Sequence, residues 1–439
     1  MTTTPDVACD LFIIGEGLAG MSSALFAVNR GLRVCQVGKS YPLGFHSGLL
    51  DLLCVNPAQA SSNASDPWDA MDYLKKTNPK HPYAKIHKQT IRTAFHEVKT
   101  FLAAQGLFYE DLAEKNSDVA TSIGTLKRSY MIPLSMQASV QALKKKWPVL
   151  FVGVNGLREF SATQIKETLS GTWPGLNAVT LDFPFSRPGE KTCEHLARAL
   201  DSEKNRALFA NIIRPHLNGE KAVGLPPILG VHHSTEALRD MEHKLGIPVF
   251  EIPCLPPSVP GLRLKEAFEQ GLDKKGRVRL SNFKIDSLSR NNTGEFFIRL
   301  STDCLTKTIL AKGIVLSSGR FMGKGLVADR QKIKEAVFNF PVVQPEGRST
   351  WFQKLFFDDQ GHAINKAGIE TDSFQRPIND HGDIIFDNVF AAGSILAHQD
   401  WAREKSGSGI AMSSGLNAVN AFIQSHHVFQ DIRKTGTGM

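Results

Sequence analysis

No apolar run in this chain approaches the roughly twenty residues that a membrane-spanning helix needs. The N-terminus, MTTTPDVACD, lacks the basic segment followed by an apolar one that marks a secretory signal, so a cytoplasmic location is expected. No C-x-x-C pair occurs among Cys9, Cys35, Cys54, Cys193, Cys254 and Cys304. Zinc, iron–sulfur and dithiol chemistry lose their usual ligand pattern, and an organic cofactor would have to carry any electrons. His232 and His233 are adjacent and project in different directions, which makes a poor ligand pair, so no metal is assigned. Basic residues are not interleaved with aromatics along any run, which argues against a nucleic-acid groove. The 51 Lys and Arg against 43 Asp and Glu leave a formal charge of +8, compatible with attraction to anionic substrates or to a membrane surface. At 439 residues the chain is long enough for two well-formed cores.

What the chain does contain begins at FIIGEGLAG, where Gly15, Gly17 and Gly20 stand in G-x-G-x-x-G spacing between an apolar run and a helix-like segment, Met21 to Asn29. A second strand, Leu32 to Val37, follows at the expected distance. This is the order of a dinucleotide-binding unit. Gly15 allows the tight turn, Gly17 lets a phosphate approach the backbone at the helix N-terminus, and Gly20 lets helix and strand pack closely.

The acidic residue that usually ends the second strand and binds an adenosine ribose is missing. Val37-Gly38-Lys39 stands there instead. Two readings follow: an NADP-like site in which Lys39 meets a 2′-phosphate, or a cofactor without an adenosine half, such as FMN. A carboxylate restored by Gly38→Glu is expected to raise affinity for FAD and not for FMN.

Beyond the fingerprint, Gly44, Ser47 and Gly48 allow a loop to lie flat against a ligand, and a polar, proline-containing stretch from Asn56 to Pro82 breaks the pattern. Apolar spacing from Ile86 to Gln105 is helical. Strands are expected at Val149 to Gly153, Ala178 to Phe183 and Leu225 to Val231, with helices at Lys191 to Ala199, Asn205 to Ile213 and Thr235 to Leu245. These alternate as in an inserted α/β domain. A helix from Leu262 to Gln270 is followed by expected strands at Val278 to Leu280, Phe283 to Leu288, Glu295 to Leu300, Thr306 to Leu310 and Gly313 to Leu316. The last runs into Ser317-Ser318-Gly319, small residues that suit close approach of a ligand. Near the end, a strand at Val389 to Ala391 turns at Gly393, and Ser406-Gly407-Ser408-Gly409 precedes a helix from Ile410 to Gln424. This second loop reads either as a further anion or flavin-edge site, with Gly407 and Gly409 as its backbone, or as a turn into a tightly packed helix.

The set FIIGEGLAG, IVLSSG, NVFAAGS and SGSGIA resembles flavoproteins of the succinate dehydrogenase and fumarate reductase type. More narrowly, SGLLDLL, IGTLKRSYMIP, VGVNGLREF, LPPSVPGLRL and SSGRFMGKGLVADR are similar to the B subunits of anaerobic glycerol-3-phosphate dehydrogenase, over nearly the whole chain. The resemblance implies a split Rossmann-like FAD/NAD(P)-binding α/β fold with an inserted α/β substrate domain. The boundaries expected are 1–56 and 256–439 for the flavin-binding parts and 57–255 for the insert. It also implies two partner proteins: an FAD-type dehydrogenase, and an iron–sulfur protein that attaches the assembly to the inner face of the inner membrane. For this chain it implies FMN, which suits Gly38. The assembly would oxidise sn-glycerol 3-phosphate to dihydroxyacetone phosphate and reduce quinone, with this chain as enzyme or electron relay. Two rival readings are a stand-alone FAD-dependent reductase of a small anionic substrate and a non-catalytic docking protein.

The residues expected at the chemistry are Arg263, whose guanidinium would fix a carboxylate or phosphate, and His46, suited to proton transfer beside a flavin ring. His398 and Arg403 join them, with Asp400 spaced to orient the His398 imidazole. Lys127, Arg128 and Arg158 are further cations that could meet a phosphate. The backbone contacts expected for the cofactor come from Gly15, Gly17, Gly20, Gly38, Ser47, Gly48, Ser318, Gly319, Gly393, Gly407 and Gly409.

Overall fold

The apolar run VACDLFII becomes strand β1 (Val7–Ile14), whose last four residues are buried on both faces. Such a continuous apolar strand belongs in the middle of a parallel sheet. It lies there in a computed structural model that describes residues 4–39, 41–55, 64–110, 114–184 and 190–435. Helix α1 (Leu18–Asn29) follows, then β2 (Val34–Gly38). Every residue of α1 from Leu18 to Ala27 is buried, so the helix is covered all round.

The chain divides into two compact units, one of residues 1–42, 52–98 and 269–439 and one of residues 43–51 and 99–268. The expected boundary at 56/57 falls within residues 56–63, outside the described residues. His46, Ser47 and Gly48 belong to the second unit although the fingerprint just before them belongs to the first.

In the first unit a seven-stranded sheet runs in the order Lys284–Arg290, Phe296–Ser301, Thr306–Leu316, β1, β2, Val278–Ser281, with Val389–Ala391 also paired to Thr306–Leu316. β1 pairs in parallel with β2 and with Thr306–Leu316, setting Val7 opposite Ile309 and Ile14 opposite Leu316. Thr306–Leu316 is one strand, where the sequence suggests two. Gly313 does not interrupt it: a Cβ there would stand 2.6 Å from the Phe422 ring, so its bareness admits the C-terminal helix Gly407–Thr435. That helix packs along α1. Its close approach is visible at Gly415, where a Cβ would be 2.7 Å from Ser23 Oγ.

The second unit has its own parallel sheet, in the order Leu176–Leu181, Val149–Val154, Ala222–Leu225, Val249–Glu251. Helices Ala162–Leu169, Cys193–Leu200, Glu203–Ile213 and Ser234–Leu245 accompany it, the last ending at Gly246 in the left-handed conformation. Phe151, Trp173, Phe209 and Phe250 fill its core. The strand expected over Leu225 to Val231 instead ends at Leu225, because Pro226 and Pro227 have no N–H to donate to a neighbour. Among the described residues, no helix is long and apolar enough to cross a membrane.

Candidate functional site

Three parallel strands of the first unit end side by side, and their C-terminal ends carry the glycine and serine turns. Beyond β1, Gly15 has φ +124° and donates to Val37 O at 2.8 Å; a Cβ there would lie 2.2 Å from Ser317 O. Gly20 is as constrained, since its Cβ would lie 2.0 Å from Gly15 O. Ser317 ties the neighbouring strand to β1, donating from N and Oγ to Ile14 O at 2.8 and 2.9 Å.

Gly17 differs. It is the N-cap of α1 with ordinary φ −76°, no side chain caps the helix, and a Cβ would meet nothing within 4 Å. Open space thus stands before uncapped N–H groups and the positive end of a buried helix, the geometry that receives a phosphate. At the end of the neighbouring strand, Ser318 Oγ is buried without a hydrogen-bond partner. Gly319 has φ +71° and lies next to Ser394 Oγ. Gly393 turns the third strand end against α1: its N–H donates to Ser414 Oγ at 2.9 Å, and a Cβ would be 2.5 Å from Ala19 Cβ. Gly15, Gly17, Gly20, Ser318, Gly319 and Gly393 are therefore gathered at one sheet edge, where open α/β sheets bind ligands.

At the second glycine loop, protein takes the space on the side where Cβ atoms would stand. Gly407 opens the C-terminal helix against the Trp401 ring, and the space beside Gly409 is taken by the Tyr83 hydroxyl, 2.2 Å from where a Cβ would stand. Tyr83 in turn donates to Leu52 O at 2.6 Å.

At the end of β2, the space that a side chain on Gly38 would need is taken by the backbone of the Gly15–Glu16 turn and by the Glu16 side chain. A Cβ on residue 38 would come within 2.8 Å of Glu16 N and 3.1 Å of Glu16 Cγ. Glu16 is 1 % exposed. Its Oε1 accepts from Arg279 Nε at 3.2 Å and from Ser281 Oγ at 3.1 Å, both on the strand beside β2. Its Oε2 is buried and accepts nothing. Arg279 also donates to Glu269; burial opposes its charge, but the two carboxylates outweigh burial and hold its pKa above the ordinary arginine value. Sequence reasoning misses this group. Its one local signal is a glutamate inside the fingerprint combined with a glycine at the end of β2.

The remaining expected residues fall in both units. In the first unit, His398 adopts φ +64° and its Nε2 lies 2.8 Å from Glu370 Oε2. Asp400 does not orient that imidazole; it caps the short helix Trp401–Glu404 and accepts from Asn365 Nδ2 at 3.3 Å. Lys80 and Lys85 reach the same Glu370 at 3.5 and 3.7 Å. Arg403 donates to the carbonyls of Asp358 and Asp359.

In the second unit, His46 Nδ1 accepts from Gly48 N at 3.1 Å, and burial pushes its pKa down to about 4. Leu49 N donates to Ser47 Oγ, and Gly48 O accepts from Tyr109 at 2.7 Å. The PPSVPG block folds onto this loop, with Ser258 Oγ donating to His46 O at 2.5 Å. Arg263 turns inward: 4 % exposed, it grips both oxygens of Glu251 at 2.6 and 2.8 Å and donates to Leu229 O and Gly230 O. Lys127 pairs with Asp51, Arg128 with Asp118, Arg158 with Glu190, and His232 with Glu266.

The family described as FAD binding domain matches residues 10–410. The chain belongs to this FAD-binding domain family. Relatives named as the B subunit of anaerobic glycerol-3-phosphate dehydrogenase align nearly end to end. The protein of Aliivibrio fischeri is 27 % identical over 98 % of both chains, and a probable B subunit of Halobacterium salinarum is 29 % identical over 96 % of this chain and 99 % of its own. The resemblance carried by the motifs thus extends along nearly the whole chain. A 3-ketosteroid Δ1-dehydrogenase structure from Sterolibacterium denitrificans covers 95 % of this chain at 13 % identity and TM-score 0.42.

Family membership corrects the cofactor. FAD, not FMN, is what the FAD-binding domain points to. The FMN expectation rests on the bare Gly38 together with the resemblance, and a missing side chain at one strand end does not remove a carboxylate brought there by another element, here Glu16. The residues present fit FAD: the open approach at Gly17 and the α1 N-terminus would hold its pyrophosphate, with Ser318 Oγ and Glu16 Oε2 as buried polar atoms still lacking partners.

Proposed function

We propose that this chain is the FAD-binding B subunit of a multi-protein glycerol-3-phosphate dehydrogenase, an assembly that oxidises sn-glycerol 3-phosphate to dihydroxyacetone phosphate and delivers the electrons to quinone. The observation that carries this reading is the near end-to-end relation to B subunits, in a chain whose fingerprint keeps its phosphate approach open at Gly17. An FAD-type dehydrogenase partner and an iron–sulfur partner would complete the assembly, with this chain held at the inner face of the inner membrane through the iron–sulfur protein.

Bound FAD would supply the two-electron acceptor. The protein's own part is positional. The α1 N-terminus offsets pyrophosphate charge, and the bare Gly393 lets the third strand end pack against α1. Two lysines, Lys80 and Lys85, and the His398 imidazole gather around the single carboxylate of Glu370, an arrangement suited to a small anion. Arg263 is not assigned to substrate, because Glu251, Leu229 and Gly230 take its donors. Within the assembly we assign this chain the role of electron relay.

The test is to purify the chain with its partners, release and identify the flavin of each protein, and follow bleaching after glycerol 3-phosphate is added. FAD from this chain, bleached only when the dehydrogenase partner is present, is the expected result. Bleaching of the isolated chain overturns the relay assignment, and a chain that carries no flavin in the intact assembly overturns the whole reading.

A further inference from the structure

The carboxylate missing from the end of β2 has a substitute in the same place. We propose that Glu16, inside the glycine fingerprint, receives the adenosine ribose hydroxyls of FAD, and that Gly38 is bare so that Glu16 can reach that position. This rests on the proposed binding of FAD by this chain.

Space supplies the first argument. Glu16 N and Cγ lie 2.8 and 3.1 Å from the point where a Cβ on residue 38 would stand, so a side chain at the end of β2 and the observed position of Glu16 exclude one another. One carboxylate can occupy this corner, and it comes from the turn, not from the strand.

Preorganisation supplies the second. Arg279 and Ser281 hold one oxygen of the carboxylate, and Glu269 holds Arg279 from the other side. The acceptor is therefore fixed before any ligand arrives.

The third argument is the oxygen left over. Glu16 Oε2 is buried and unpartnered, a state that costs free energy unless something donates to it. Its complement is a neutral donor such as a ribose hydroxyl. A 2′-phosphate would bring negative charge against an unpaired carboxylate oxygen and against Glu269, so the NADP-like alternative for this strand end is disfavoured. Lys39, which that alternative needs, is exposed.

The experiment titrates the flavin-free full chain with FAD and with FAD carrying 2′-deoxyadenosine, reading flavin fluorescence. The wild-type chain should prefer FAD by about tenfold, the fold-change of one charge-assisted hydrogen bond. Glu16→Ala should bind both ligands equally, and Glu16→Gln, which keeps an acceptor but not the charge, should retain part of the preference. Equal affinity of the wild-type chain for the two ligands overturns the proposal without recourse to a variant that could misfold. An undiminished preference in a folded Glu16→Ala, judged by its melting curve, overturns it as well. If the wild-type chain binds neither ligand, the flavin reading itself fails, and that outcome is distinguishable from the other two.

Discussion

Gly409 and Tyr83 compete for one space: the phenol hydroxyl lies 2.2 Å from where a Cβ on residue 409 would stand, and it is held there by Leu52 O at 2.6 Å. Gly409→Ala should therefore destabilise the chain by about 1–3 kcal/mol, the usual effect of overpacking. Tyr83→Phe removes the clashing oxygen, so the double variant should recover part of that loss in thermal denaturation. Additive losses would mean that the conflict lies with the nearby Leu52 side chain instead.

The three fingerprint glycines should separate into two kinds. Gly17→Val adds a side chain into open space at an ordinary φ, so the melting temperature should barely move while FAD binding is lost from the phosphate approach. Gly15→Ala and Gly20→Ala drive a methyl to within 2.2 and 2.0 Å of carbonyl oxygens and should lose the fold itself. Melting curves paired with FAD titrations check both.

Gly38→Glu looks from the sequence like a route to tighter FAD binding. The structure reverses that expectation: the new Cβ would collide with Glu16 N, and the new carboxylate would compete for Arg279. A several-fold weaker FAD dissociation constant than wild type is expected in the same fluorescence titration.

Arg263→Ala should act on stability. It leaves Glu251 buried and uncompensated, a loss of about 3–5 kcal/mol. Replacing both partners, as in Arg263→Met with Glu251→Leu, should recover much of it in urea denaturation. A variant that folds normally but loses only turnover would return Arg263 to the chemistry.

His46 makes stability depend on pH. Its folded pKa of about 4 lies below the ordinary value of 6.5, first through burial and then through Lys127, against the opposing pull of Asp51. Below pH 6.5 the unfolded chain takes up a proton that the folded chain refuses, so this stabilisation is complete above that pH and drains away as the pH falls to about 4. The full loss is at most about 3 kcal/mol. Urea unfolding at pH 7, 5.5 and 4.5 should show it, and His46→Asn should flatten the profile over that window.

Much of this architecture is legible in the sequence because its signals are local. The strand, helix and strand around Gly15, Gly17 and Gly20 follow from apolar runs and glycine spacing, and the ends of the neighbouring strands are marked by Ser317-Ser318-Gly319 and Gly393. What escapes is set by partners far along the chain. Glu16 finds its meaning only beside Arg279, 263 residues away, and Gly409 only beside Tyr83. Arg263 reads as a substrate clamp until Glu251, 12 residues before it, is seen to occupy its guanidinium. The part of the FMN expectation drawn from Gly38 reads one strand end without the turn that overhangs it, and the match to the FAD-binding domain overturns the whole.

The central sheet also sets a schedule for synthesis. β1 is made well before its partner Thr306–Leu316, with Val7 opposite Ile309. At ordinary translation speeds that partner emerges roughly 15–60 s later. Throughout that interval Leu11, Phe12, Ile13 and Ile14 lack the strand that flanks them in the folded sheet, and the cofactor corner cannot close until translation has passed residue 316.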